Sequence, residues 1–263
     1  MSFALGPALL FCPADRPDRF AKALDRADAV ILDLEDAVAP ENRAAAREAV
    51  AASALEPERV IVRVNEYGTP DFEADIAVLR GTAYRLIMVP KADERLQVPD
   101  GFEAIALCES AAGIVAASRL AARVVALMWG AEDLIASLGG TSSRLADGTY
   151  RDVARVARAQ VLLAAGAAGI PAIDTVHLDI GDLDGLRAEA DDAVASGFAA
   201  TACIHPSHVE VIRAAYAPAP EQVAWATRVR DAAAGQQGVF RFEGAMVDGP
   251  VLRHAESILR RAE

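Results

Sequence analysis

Two acids, each at the end of an apolar run, offer this chain its clearest chemistry. Phe102–Cys108 (FEAIALC) is followed by Glu109, and Val124–Trp129 (VVALMW) by Gly130 and then Asp133. The stretch between them, Ser110–Arg123, is Ala-rich and free of proline, so the unit reads strand–helix–strand. A crossover of that length makes the two strands parallel neighbours about 4.8 Å apart, and acids at their carboxyl ends can share one small cation. A second acidic cluster, Asp33, Glu35 and Asp36, ends the continuous β-branched run Ala29–Leu34. It is either a solvated turn or a group that a cation or arginines must neutralise. Arg63 interrupts VIVRV and precedes Asn65, either as a structural ion pair or as a planar fork for a carboxylate or keto group. Lys91 follows LIMVP, where it either forms a Schiff base with a carbonyl substrate or orients nearby carboxylates.

Other polar groups are less committed. After the first run, Pro7–Phe11, Asp15 is expected to cap a helix with Pro17 in its first turn. Arg16, Arg19 and Lys22 recur on one side of that helix, as a solvated face or as a holder of phosphates. His205 reads as a strand-end histidine rather than a metal ligand, with only His208 near it. Leu138–Asp147 (LGGTSSRLAD) is long and Gly/Ser-rich, as an active-site rim would be. Asp248, in MVDGP, is either a helix cap or a group that serves a site.

These residues need a scaffold that delivers strand ends to one rim. Eight strand candidates alternate with helices, the pattern of an α/β protein folded as a (β/α)8 TIM barrel. The 263-residue length suits one such domain, with 1–205 as the catalytic barrel and 206–263 as its final helix and a C-terminal helical extension. Arg63, Lys91, Glu109 and Asp133 then follow strands three to six, and Glu35 and Asp36 follow strand two. The net charge of −12 disfavours nucleic acid and anionic membranes, so an anionic ligand must find a local basic cluster. No apolar run approaches the roughly 20 residues of a membrane span, and no leader pattern opens the chain, so a cytoplasmic protein is expected. Cys12, Cys108 and Cys203 fall in apolar strand settings and read as buried free thiols.

The motifs LFCPADR, VILDLEDAVAPENR, VRVN, VPKAD, LCESAAGI, WGAEDLIASLGG, CIHPSH and GAMVDGP occur in this order. Together they resemble the citrate lyase β-subunit-like branch of the HpcH/HpaI aldolase superfamily over nearly the whole chain. Its short stand-alone members are related to malyl-CoA and citramalyl-CoA lyases. The resemblance implies Mg²⁺ held by Glu109 and Asp133, waters that contact Glu35 and Asp36, and a keto acid such as pyruvate or glyoxylate on Arg63. It implies coenzyme A thioester contacts from Arg16, Arg19 and Lys22, and assembly as a homotrimer or a hexamer. Asp248 is then expected to enter a neighbouring subunit's site as the acid or base at the acetyl carbon.

Overall fold

The computed structural model describes residues 5–236 and 238–262. The described chain divides into two compact units between Ile212 and Arg213. In the first, eight parallel strands close into a barrel in sequence order. They are β1 (Ala8–Pro13), β2 (Ala29–Asp33), β3 (Val60–Arg63), β4 (Leu86–Val89), β5 (Glu103–Cys108), β6 (Ala126–Trp129), β7 (Ala172–Asp174) and β8 (Ala200–Cys203). Closure comes from β1 pairing with β8, Ala8 opposite Thr201 through Leu10 opposite Cys203. The outer ring contains α1 (Phe20–Arg26), α2 (Arg43–Ala51), α3 (Pro70–Leu79), α4 (Ala111–Ala121), α5 (Ala131–Ser137), α6 (Asp152–Ala168) and α7 (Leu183–Ser196), followed by α8 (Pro206–Tyr216). The (β/α)8 expectation holds, and no helix is long and apolar enough to cross a membrane among the described residues.

Local sequence accounts for the helix starts. Thr69, Ser110 and Asp182 cap α3, α4 and α7 by accepting the N–H of Phe72, Gly113 and Gly185. Gly169 and Gly197, both left-handed, end α6 and α7. The expected cap at Asp15 does not form. Pro17–Arg19 is instead a short 3-10 turn, with Arg16 at its N-cap position and no side-chain cap.

Strand residues alternate between two apolar environments. Leu9, Ile31, Ile61, Met88, Ile105, Leu107, Met128 and Ile173 form one buried cluster inside the barrel. The three cysteines are buried and free. In the second unit, α9 (Pro220–Ala233), a hairpin of β9 (Phe240–Phe242) and β10 (Ala245–Val247), and α10 (Gly249–Ala262) enclose Ala226, Val229, Val247, Ala255 and Ile258.

Candidate active site

The two-residue period that fills the barrel also builds the site. Continuing each inward series by one step past Leu9, Ile31, Ile61, Leu107 and Met128 reaches Phe11, Asp33, Arg63, Glu109 and Gly130. Each lies at the carboxyl end of its strand, the rim on which barrel enzymes place their chemistry. Register sets Asp33 directly opposite Arg63.

Asp33 is almost fully buried, and its carboxylate grips Arg63 with both oxygens. Arg63 Nε donates to Oδ1 at 2.7 Å and Nη2 to Oδ2 at 2.6 Å. The same oxygens accept the backbone N–H of Glu35 at 3.0 Å and of Ala37 at 3.1 Å. The guanidinium carbon lies 4.9 Å from the centre of the Phe11 ring. Burial works against the Arg63 charge, but the Asp33 bonds outweigh it and hold the group above its ordinary pKa.

Glu35 is buried between two cations. Its Oε1 accepts from Lys91 Nζ, while Oε2 sits 3.1 Å from Arg63 Nη1 without a hydrogen bond and has no donor of its own. Burial raises the Glu35 pKa, and Arg63 and Lys91 oppose that rise. Lys91 takes a left-handed backbone, φ +50°, uncommon for a residue with a side chain. In that conformation its N–H donates to Glu109 Oε1 at 3.0 Å, so one residue touches the acids of two strand ends. Exposed Asp36 Oδ2 lies 3.9 Å from the Lys91 ammonium.

Glu109 is 4% exposed. Burial, then the charges of Asp133 and Glu35, push its carboxyl up to about 8. Its Oε2 has no donor among the described residues and lies over Gly130. A Cβ at Gly130 would fall 2.8 Å from Glu109 Cβ and 2.9 Å from Oε2, so only glycine leaves this carboxylate its place. Half-buried Asp133 stands in the first turn of α5, immediately beyond Gly130. Its neighbour Glu132 is tied to the Leu138–Asp147 loop through Ser143 Oγ at 2.6 Å.

Oxygen donors alone, with buried Glu35 Oε2 unpartnered and two acids repelling each other, fit a hard dication. Among the described residues no three His, Cys, Asp or Glu enclose a metal by themselves. Mg²⁺ is commonly held by one or two carboxylates, with water and substrate completing its shell. Glu109 and Asp133 are the pair that would hold it.

Arg16 is spent on Asp18 through Nε and Nη2, each at 2.9 Å, whereas exposed Arg19 and Lys22 have no partner among the described residues. Asn65 is spent on Asp75, to which it donates from the backbone at 2.7 Å and from Nδ2 at 2.8 Å. His205 Nδ1 contacts Ser207 Oγ at 2.6 Å. Asp248, in the second unit, accepts the Val251 N–H at 3.3 Å and caps α10. A cleft of about 950 Å³ is lined by α6 and α7, and its Arg144 and Arg158 are neutralised by Glu189, Asp174 and Asp192. Phe11 and Gly130 are the participants that sequence reasoning missed, and Asp33 was read only as one of three crowded acids that arginines could neutralise. The signal was their parity with the inward strand positions.

The family model HpcH/HpaI aldolase/citrate lyase matches residues 8–105 and 97–206. The chain belongs to that family. A citrate lyase subunit beta-like protein of Mycobacterium tuberculosis is 56% identical over 263 residues, covering 98% of this family member and 96% of that protein. An L-malyl-CoA/beta-methylmalyl-CoA lyase of Cereibacter sphaeroides is 33% identical over 316 residues, covering 100% and 99%. The crystal structure of CitE from M. tuberculosis in complex with magnesium, acetoacetate and coenzyme A superposes with a TM-score of 0.91, at 56% identity and 99% coverage of both chains. Family membership thus joins a rim of acids and one guanidinium to relatives that include carbon–carbon lyases.

Proposed function

We propose that this chain is a Mg²⁺-dependent carbon–carbon lyase that cleaves a β-hydroxyacyl-CoA thioester of the malyl-CoA or citramalyl-CoA type to acetyl-CoA and a keto acid. The observation that carries the reading is the Arg63 guanidinium, clamped on one edge by Asp33, with Nη1 making no hydrogen bond although Glu35 stands 3.1 Å away, beside a pair of mutually repelling acids. The Cereibacter relative, a lyase of this thioester class, supports the same chemistry.

Cleavage breaks the bond between the carbinol carbon and the α-carbon of the thioester. The electron pair passes to the α-carbon as an enolate, the carbinol oxygen loses its proton to become the keto oxygen, and the α-carbon then takes up a proton. Arg63 binds the carboxylate of the departing keto acid, pyruvate or glyoxylate, and holds the reacting carbons in line. Glu109 and Asp133 hold Mg²⁺, with Glu35 and Asp36 facing its waters and Lys91 orienting those acids. When bound, Mg²⁺ supplies Lewis-acid polarisation of the oxygen that becomes the keto group. Arg19 and Lys22, with Arg16, contact the coenzyme A phosphates. Asp248 of a neighbouring subunit delivers the proton to the acetyl carbon in a homotrimer or hexamer, and the cytoplasm is the compartment of the reaction.

A panel of malyl-, citramalyl- and hydroxymethylglutaryl-CoA, assayed for acetyl-CoA release with Mg²⁺ and with excess chelator, tests this reading. Release from at least one thioester, lost in chelator, is expected. Full activity in chelator overturns the metal, and borohydride trapping of substrate on Lys91 would install a Schiff base in its place. The likeness to a citrate lyase subunit beta-like protein favours a second reading, a subunit of a citrate lyase complex that acts on an acyl-carrier thioester. Co-purification with other lyase subunits and inactivity on free CoA thioesters would select it.

A further inference from the structure

Arg63 has five N–H donors, and the structure accounts for two. Nε and Nη2 form the side edge of the guanidinium, and both point at Asp33 in a fork-on-fork pair of 2.7 and 2.6 Å. Of the remaining hydrogens, one on Nη1 and one on Nη2 form the end edge, and the second on Nη1 points back beside Cδ. Glu35 Oε2 lies 3.1 Å from Nη1 but accepts nothing. Asp33 is itself saturated: each oxygen takes one guanidinium N–H and one backbone N–H, from Glu35 or Ala37. It is 1% exposed, so neither water nor substrate reaches it. The Phe11 ring covers the guanidinium face. Side edge and one face are therefore fixed by the protein, and the end edge, with Glu35 Oε2 paired to Nη1 at 3.1 Å but accepting no hydrogen bond, keeps its N–H donors for a ligand. A planar end edge matches the two oxygens of a carboxylate.

We propose that Asp33 is a positioning residue that determines substrate class: by occupying the side edge of Arg63 it presents the end edge as a carboxylate fork, and so selects an α-keto acid over the corresponding aldehyde. The inference rests on the reading of Arg63 as the keto-acid site. Without Asp33 the guanidinium is free to turn about its last torsions, and Glu35, whose backbone N–H is tied to Asp33, loses its own anchor. A neutral asparagine of nearly the same volume keeps one acceptor but removes the charge and the second acceptor.

The test measures pyruvate affinity of the Mg²⁺-loaded protein by calorimetry, and in parallel the Mg²⁺ affinity without pyruvate. Asp33→Asn is expected to weaken pyruvate about tenfold or more, as expected when a charge-assisted pair is lost, while Mg²⁺ affinity stays within about twofold. The preference for glyoxylate over formaldehyde in condensation with acetyl-CoA should fall by a similar factor. A purely structural role would shift metal and pyruvate together and leave the acid-to-aldehyde ratio alone, which overturns the proposal. Arg63→Lys separates the two readings. If it weakens pyruvate and Asp33→Asn does not, Asp33 is no positioning residue; if neither weakens it, Arg63 is not the keto-acid site. Should the asparagine variant fail to fold, wild-type protein labelled at arginine nitrogen gives the answer by NMR. Pyruvate should move the Nη signals of Arg63 and leave Nε–H protected, and an equally strong change at Nε–H refutes the assignment.

Discussion

Glu109 carries the sharpest pH signature of any single residue at the rim. An unfolded glutamate ionises near 4.5, whereas burial, Asp133 and Glu35 hold Glu109 protonated to about 8 in the metal-free fold. Between those values the folded state binds the extra proton, so the contribution of Glu109 to stability falls as pH rises from about 4.5 to about 8 and is flat on either side. The difference in urea midpoint between wild type and Glu109→Gln, both in chelator, should follow that slope. Cation binding must expel the same proton, so Mg²⁺ affinity is expected to rise with pH and level off near 8. Calorimetry across pH 6 to 9 checks this. In the same titration, Glu109→Gln and Asp133→Asn should each abolish Mg²⁺ binding while circular dichroism stays unchanged, because each removes a ligand charge at nearly constant volume. Glu109 and Asp133 were legible in the sequence because each ends an apolar run. Asp33 was legible only as part of a crowd, because its role comes from register with Arg63 on the next strand. Phe11 and Gly130 were hidden inside apolar text, where strands buried on both faces show no alternation to reveal which residues point inward.

Strands and helices leave less room for substitution at some joints than at others. Gly130 joins β6 to α5, and its missing side chain is the space that Glu109 uses. Gly130→Ala should cost about 1–3 kcal/mol by overpacking and displace the Glu109 carboxylate, read as a lower melting temperature together with weaker Mg²⁺ binding. Thr69→Ala, far simpler, removes one helix cap and should cost about 1 kcal/mol in urea unfolding with Mg²⁺ affinity intact. Eight strands could be read from the sequence because each is a short apolar run between turn residues, and the helix read over Ser110–Arg123 is α4 within two residues at either end. The hairpin β9–β10 was not read. Its turn places Glu243 at φ +47° and Gly244 at φ +84°, and Glu-Gly lacks the asparagine or aspartate that usually announces such a turn. Asp15 was misjudged for a related reason, since Pro17 opened a 3-10 turn one residue later than a cap at Asp15 requires.

At the scale of the whole molecule, a net charge of −12 repels an anionic thioester, so the basic patch beside β1 should govern capture. Because Asp18 neutralises Arg16, charge removal at Arg19 or Lys22 is expected to raise KM several-fold and flatten its salt dependence, and Arg16 substitution to do less. If Asp248 serves a neighbour, mixing inactive Asp248→Asn and Glu109→Gln proteins through unfolding and reassembly should restore activity. No recovery in demonstrated hybrids would leave Asp248 as the cap of α10. The seam between β1 and β8 has a consequence in time. Ala8–Leu10 must wait for Thr201–Cys203, the last barrel strand to be synthesised, so the pairing that abolishes the sheet's edges carries the largest loop-closure cost. Until then a growing chain exposes the outer edge of β1 to any other strand it meets. Pulse-labelled hydrogen exchange during refolding should therefore find the seam amides of Leu9 and Thr201 protected last, after the β5–β6 pair that carries Glu109 to the rim.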